Sequence, residues 1–171
     1  MKKTIIIING SGGVGKDAFI KALDCVVSHN NICLHNISSV DQVKVFATSM
    51  GWDGSKDEKS RKFLSDLKDL WTAYNNGPIK DVVHKCDNIG ENDNIIFIHC
   101  REPDQITLLK EIFEGEGKVC KTLLITRPIP IITSNHADAN INNYIYDYTI
   151  ANDGSLSDLD DKAKEFYLQI I

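Results

Sequence analysis

The sequence predicts an α/β protein with a doubly wound, five-stranded parallel sheet. Short apolar runs alternate along the chain with longer segments whose apolar residues recur at helical spacing, and this alternation is typical of βαβ units. The first run, residues 4–8, is continuous and β-branched, which indicates a strand buried on both faces of a parallel sheet. Right-handed crossovers would place the carboxyl ends of the strands at one edge, where such sheets bind ligands.

Five strands and six helices are predicted in order along the chain. Apolar or β-branched runs place the strands at residues 4–8, 32–37, 94–100, 122–126 and 145–151. Apolar residues at steps of three and four place the helices at residues 16–28, 41–49, 56–74, 79–87, 103–114 and 156–170. Gly77 and Pro78 stop the third helix, and Pro103 suits the first turn of the fifth.

The length of 171 residues suits a single domain, residues 1–171. The segment 41–87 is too long for one crossover, so we expect it to form a helical insert over the carboxyl edge of the sheet. Residues 128–143 are irregular and contain Pro128 and Pro130, and we expect this segment to form a short lid.

Composition narrows the class of protein. Apolar residues make up 42% of the chain, enough for a core, while a net charge of −5 argues against general nucleic-acid binding. No apolar run reaches transmembrane length, and the five cysteines show no CxxC spacing, as is typical of reduced core thiols. We therefore expect a cytoplasmic protein, a monomer or homodimer, with a small-molecule substrate and neither nucleic-acid nor membrane partners.

A glycine-rich segment after the first strand matches GxxxxGK, the P-loop pattern, with glycines at 10 and 15 and Lys16. Glycines let backbone N–H groups approach phosphates, the helix N-terminus adds its dipole, and the lysine reaches the β and γ phosphates. The predicted nucleotide-binding residues of this loop are Gly10, Ser11, Gly12, Gly13, Val14, Gly15, Lys16 and Asp17.

Asp17 stands where Ser or Thr normally follows the lysine and holds magnesium. A carboxylate there could bind Mg²⁺ directly or through a water, because this ion prefers oxygen ligands. Alternatively, Asp17 only stabilises the helix N-terminus through the helix dipole. We favour the metal ligand.

Arginine is rare in the chain, with three residues against sixteen lysines. Arg101 and Arg127 each follow a predicted strand at its carboxyl end, and Arg61 lies in the helical insert. Because guanidinium grips phosphate with two parallel hydrogen bonds, this placement indicates a phosphoryl-transfer site. A surface salt bridge is the alternative for each arginine.

Acidic residues give weaker signals. Glu102 could act as the acid that usually ends the third strand, or cap the helix that begins at Pro103. Asp41 could contact a substrate or start its helix, and Asp138 could meet magnesium or substrate in the lid, or be a solvated loop residue. The five histidines show no metal-binding spacing, and His136 is given no role.

The chain resembles nucleoside monophosphate kinases, and Gly15-Lys16-Asp17 is similar to the loop of phage-type deoxynucleoside monophosphate kinases and animal-type phosphomevalonate kinases. The resemblance covers the whole chain in outline, although the loop is its only specific motif. It implies ATP and Mg²⁺ as cofactors and a phosphorylated acceptor, most simply a (deoxy)nucleoside monophosphate.

The resemblance also assigns roles by position. Lys16 and the loop amides would hold the ATP phosphates, and Arg61 and Arg101 would clamp the acceptor phosphate, near Asp41. Arg127 would lie against the adenine or the transferring phosphoryl group. The resemblance further implies adenine-bordering residues at Asn152 and Gly154. Lys16, Arg101 and Arg127 are thus the predicted catalytic residues.

Two departures from that family keep other functions open. The lid has no arginine after Arg127, and the acid that ends the third strand is not at the expected place. A non-catalytic ATP sensor and a kinase of a non-nucleotide phosphorylated acceptor are therefore alternatives. Four aromatic residues of the insert could stack on a base, but their helical spacing favours core packing: Trp52, Phe63, Trp71 and Tyr74.

Overall fold

The computed structural model describes residues 3–90, 94–128 and 140–171, and within them five strands form one sheet. The strand order is β2-β3-β1-β4-β5, and every neighbouring pair is parallel. The strands are β1 (Thr4–Asn9), β2 (Cys33–Ser38), β3 (Asn94–His99), β4 (Val119–Thr126) and β5 (Tyr148–Ala151). The predicted fold class is confirmed.

Helices cover both faces of this sheet. In the described residues they are α1 (Lys16–Val27), α2 (Asp41–Ser49), α3 (Glu58–Asn75), α4 (Gly77–Asp87), α5 (Pro103–Gly115) and α6 (Leu156–Ile170). Apolar residues of α1 and α6 form one core with the sheet, and those of α4 and α5 form the other. None of the helices in these ranges is long and apolar enough to cross a membrane.

The position of strand β1 between two cores explains why its sequence is continuously apolar. Ile6 and Ile8 belong to the core on the α1 side, whereas Ile5 and Ile7 belong to the core on the α4 side. All four side chains are fully buried. A strand between two such neighbours needs apolar residues on both faces, which is the pattern from which the sequence predicts a parallel sheet.

The boundary between α3 and α4 lies one residue before the predicted break. Asn76 adopts a left-handed conformation (φ +54°) that ends α3, and α4 begins at Gly77 with Pro78 in its first turn. The Trp71 indole occupies the place that a Cβ on residue 77 would need. The loop between the two helices is therefore a single residue, and only glycine fits beside Trp71.

Strand β5 begins at Tyr148, three residues later than predicted. The reason is Asp147, whose carboxylate accepts hydrogen bonds from the backbone N–H and the hydroxyl of Thr122 (2.8 and 2.9 Å) and pairs with Lys110. The N–H of Asp147 donates to the Thr122 hydroxyl in return (2.8 Å). Side-chain bonds thus replace backbone ladder bonds here, and Ile145 lies outside the sheet, 95% exposed.

We predict that Asp147→Ala destabilises the protein by about 1–3 kcal/mol, because it leaves the Thr122 N–H without its acceptor. Urea unfolding followed by circular dichroism would measure this loss. Asp161→Ala is the control, since that carboxylate forms only an exposed pair with Lys164. Equal stability losses in the two variants would contradict a structural role for Asp147.

Candidate active site

The glycine-rich loop between β1 and α1 adopts backbone angles that require glycine. Gly10 (φ +143°) and Gly15 (φ +99°) both lie where L side chains are strained. A Cβ on Gly10 would collide with the carbonyl oxygen of Ile125 in β4, and one on Gly15 would collide with the amide of Asn152. The loop is therefore packed tightly against the carboxyl ends of its neighbouring strands.

Two buried asparagines hold the loop in place. Asn9 accepts a hydrogen bond from the N–H of Gly10 (2.7 Å) and donates to the carbonyl of Arg101 (3.1 Å) and the hydroxyl of Tyr146 (2.7 Å). Asn152 donates to the carbonyl of Val14 (2.8 Å). Nothing local in the sequence singles out Asn9, because two of its three partners, Arg101 and Tyr146, lie more than ninety residues away.

Lys16 folds back over the loop. Its ammonium donates to the carbonyls of Gly10 (2.5 Å) and Ser11 (3.0 Å). Gly12 and Gly13 are exposed, and no atom lies within 4 Å of the place where their Cβ atoms would be. A phosphate group could therefore approach the backbone N–H groups of these glycines closely. Since the Lys16 ammonium lies beside them, the loop fits the phosphates of a nucleotide.

A cleft of about 600 Å³ opens between this loop, the ends of β2 and β3, and the helices α2 and α3. Its lining brings together eight residues that the sequence singles out: Gly12, Gly13, Lys16, Asp17, Asp41, Arg61, Arg101 and Glu102. Six of the described lining residues are Lys or Arg and three are Asp or Glu. The cleft is thus positive in a chain whose net charge is −5.

Other predicted site residues lie outside this cleft. Arg127 directly follows β4 and is exposed, and it is not among the described lining residues. Asn152 lies behind the loop, and Gly154 lies against Asp158 in the capping box that starts α6. Most of the predicted lid, residues 129–139 with His136 and Asp138, is outside the described residues.

Asp17 lies in the first turn of α1, with its side chain 89% exposed and one oxygen 3.8 Å from Nε2 of His99. Within the described residues no group of three acidic, His or Cys side chains could hold a metal ion by itself. Magnesium is commonly held by one or two carboxylates together with substrate phosphates, so a single ligand at Asp17 fits that mode.

His99 ends β3 and lines the cleft, although its spacing gave no signal in the sequence. Burial lowers the pKa of this imidazole to about 4, even though Asp17 acts in the opposite direction. Nε2 is buried without a hydrogen-bond partner in the described part of the chain. His99 is therefore neutral near pH 7 and presents an unbonded ring nitrogen beside Asp17.

The two further carboxylates of the cleft are engaged by neighbouring groups. Glu102 pairs with the buried Lys68 of α3 (2.5 Å) rather than capping α5. Burial acts most strongly, and it acts to raise the pKa of Glu102, but the charge and hydrogen bond of the Lys68 ammonium, together with backbone hydrogen bonds, lower this pKa overall. Asp41, the first residue of α2, lines the cleft and accepts a hydrogen bond from the N–H of Ser38 (2.7 Å).

Comparisons with known proteins give similarity in structure only. No protein-family model matches the chain, and no curated protein matches it in sequence. An APS kinase from Mycobacterium tuberculosis, in complex with AMPPNP and APS, aligns with a TM-score of 0.60 and 10% identity over 97% of this chain and 96% of its own. A tunicamycin resistance protein from Deinococcus radiodurans aligns with a TM-score of 0.52 and 13% identity over 98% and 95%. These similarities show the P-loop fold.

Gly10→Ala should destabilise the protein by about 1–3 kcal/mol, because the new methyl group collides with the Ile125 carbonyl at a strained φ. Gly12→Ala should leave stability nearly unchanged, since no atom lies near its Cβ position. Thermal and urea unfolding of the two variants would measure the difference. Equal melting temperatures would show that the loop does not pack against β4 in this way.

His99→Gln should flatten the dependence of stability on pH. Because burial lowers the pKa of His99 from 6.5 to about 4, the unfolded chain binds this proton first on acidification. The stability present above pH 6.5 is then lost between about pH 6.5 and 4, at most roughly 3 kcal/mol. Urea unfolding at several pH values, with exposed His29→Gln as control, tests this; parallel curves for His99→Gln and the wild type would contradict it.

Proposed function

We propose that the chain catalyses ATP-dependent phosphoryl transfer to a small phosphorylated acceptor. One observation carries the proposal: Lys16 of the glycine-rich loop shares a single cleft with Arg61 and Arg101. A phosphate-binding loop alone fits any nucleotide-binding protein, whereas guanidinium groups opposite the loop fit a second phosphate-bearing molecule. Binding both in one cleft is what transfer between them requires.

The loop side of the cleft is the proposed ATP site. The N–H groups of residues 11–15 and the N-terminus of α1 would hold the β and γ phosphates together with Lys16. Asp17 would hold Mg²⁺ with those phosphates, and the ion supplies charge neutralisation on the β and γ oxygens when bound. We retain Arg127 on the nucleotide side, since it directly follows β4, the strand that packs against Gly10.

The reaction breaks the bond between the γ phosphorus and the β–γ bridging oxygen and forms a bond to an acceptor oxygen, and an acceptor hydroxyl releases its proton to water. ADP leaves with the bridging oxygen and its electron pair. Negative charge accumulates on the oxygens around the transferring group, so catalysis consists mainly of positioning and charge neutralisation. Lys16 on the loop side and Arg101 on the β3 side are the cleft residues that we assign to this charge.

The structural comparison supports this class of reaction. The aligned APS kinase holds AMPPNP and APS, and it covers nearly all of this chain with the same fold. The family resemblance implies a (deoxy)nucleoside monophosphate as acceptor. The described lining of the cleft offers cations for the phosphate of such an acceptor, but no Phe, Trp or Tyr for its base.

We predict that Lys16→Ala lowers ATP-dependent turnover about 100-fold or more, because it removes a cation from the transferring phosphates. ADP release, coupled to a spectrophotometric assay, would be measured with ATP and a panel of phosphorylated acceptors. Lys21→Ala, on the same helix and exposed outside the cleft, is the matched control and should keep wild-type turnover.

Two results would contradict the proposed function. Unchanged turnover in Lys16→Ala would show that Lys16 of the glycine-rich loop takes no part in the reaction. ATP binding by the wild type without ADP release for any phosphorylated acceptor would instead indicate the ATP sensor that the sequence leaves open.

A further inference from the structure

The wall of the cleft opposite the loop carries three cations from three places in the chain. Lys44 lies on α2, Lys56 precedes α3, and Arg61 lies in the first turns of α3. All three are exposed, and none forms an ion pair within the described residues. We call Lys44, Lys56 and Arg61 the cation wall.

No carboxylate of the described residues forms an ion pair with the cation wall, although the whole sequence has 24 acidic residues. Glu102 is paired with Lys68, and Asp41 is bonded to the N–H of Ser38. Other lysines of the described chain do have carboxylate partners, such as Lys110 with Asp147 and Lys118 with Asp87. The same sequence thus pairs many of its cations and leaves these three facing an open cleft, which is an arrangement suited to an anion with several charges.

Phe, Trp and Tyr are absent from the described lining of the cleft. Trp71 packs edge-to-face on Phe46 (5.1 Å between ring centroids), and the indole N–H of Trp52 donates to the Ser55 carbonyl. Tyr74 is 82% exposed and lies outside the cleft lining. The residues outside the described ranges include no Phe, Trp or Tyr. The His99 imidazole is the one ring of the described lining, so a nucleobase would find no Phe, Trp or Tyr to stack on there.

The neutral residues beside the cation wall include four hydrogen-bonding ones, together with the apolar Ile37, Val40 and Leu64. The hydrogen-bonding residues are Asn36, Ser38 and Ser39 at the end of β2, and Ser65 on α3. Hydroxyl and amide groups can both donate and accept hydrogen bonds, which matches the hydroxyl groups of a sugar or polyol. The cations and the hydrogen-bonding side chains on this side of the cleft thus both suit an anionic ligand that carries hydroxyl groups.

We propose that the acceptor is a sugar or polyol that carries at least two anionic groups, held by the cation wall, rather than a nucleotide. This proposal rests on the proposed phosphoryl transfer and names its acceptor class. One anionic group lies on Arg61, as the family resemblance already implies for an acceptor phosphate. Lys44 and Lys56 are the additional residues, and they bind the second anionic group.

Direct binding tests the proposal without turnover. Isothermal titration would use the full chain with saturating AMPPNP and Mg²⁺, so that the nucleotide site is filled before each probe is added. The probes are fructose 1,6-bisphosphate, ribose 5-phosphate, dTMP and AMP. We expect the bisphosphate to bind about tenfold tighter than dTMP or AMP, with the sugar monophosphate between them.

Paired variants assign the binding to the cation wall. Lys44→Gln/Lys56→Gln should weaken the bisphosphate about tenfold or more and leave dTMP nearly unchanged. Lys59→Gln/Lys62→Gln removes the same charge from exposed positions on α3 outside the cleft and should bind like the wild type. Melting temperatures of both double variants, which change only exposed side chains, show whether each remains folded.

The outcomes separate this proposal from the proposed function. Tightest binding of dTMP or AMP, with ADP release on their phosphorylation, overturns the acceptor class while the kinase activity stands. If the two double variants bind the bisphosphate equally well, the cation wall does not bind this ligand, and the proposal is also overturned. Binding through the cation wall without phosphoryl transfer to any probed or related sugar phosphate would count against the proposed function instead.

Discussion

Parallel pairing of β1 with both β3 and β4 is the constraint on which the candidate site depends. Because all five strands run in the same direction, the segments that follow them leave the sheet at one edge. Lys16 after β1, Asp41 after β2 and Arg101 after β3 meet there, although they are far apart in sequence. The insert helices α2 and α3 then close the cleft from the other side.

The charged groups of the cleft are of two kinds, a buried ion pair and exposed cations. Lys68 and Glu102 neutralise each other in a largely buried pair, which holds α3 to the end of β3. The cation wall stays exposed and unpaired within the described residues. Burying a charge without a partner costs much free energy, whereas an exposed cation stays hydrated and costs little while no anion is bound. The buried pair therefore serves structure, and the exposed cations are available to a ligand.

Sequence reasoning was most informative where the signal is local. It places Lys16, through the glycine spacing, and Arg101, through strand direction, at the cleft, whereas Arg127, which also follows a strand, lies outside the described lining. It did not find Asn9 or His99, whose surroundings come from segments remote in sequence. The start of β5 was wrong for the same reason, since Asp147 meets Thr122 only in the folded chain.

The hydrogen bonds that hold the glycine-rich loop also bear on the order in which the chain can fold. Residues 10–15 are synthesised well before their partners, since Val14 is bonded to Asn152, 138 residues later. Asn9 likewise forms its hydrogen bonds to Arg101 and Tyr146 only after those residues have been synthesised. During synthesis the loop cannot reach its final shape until the chain as far as Asn152 has left the ribosome. Nascent chains that end before Asn152 would therefore not compete for the nucleotide.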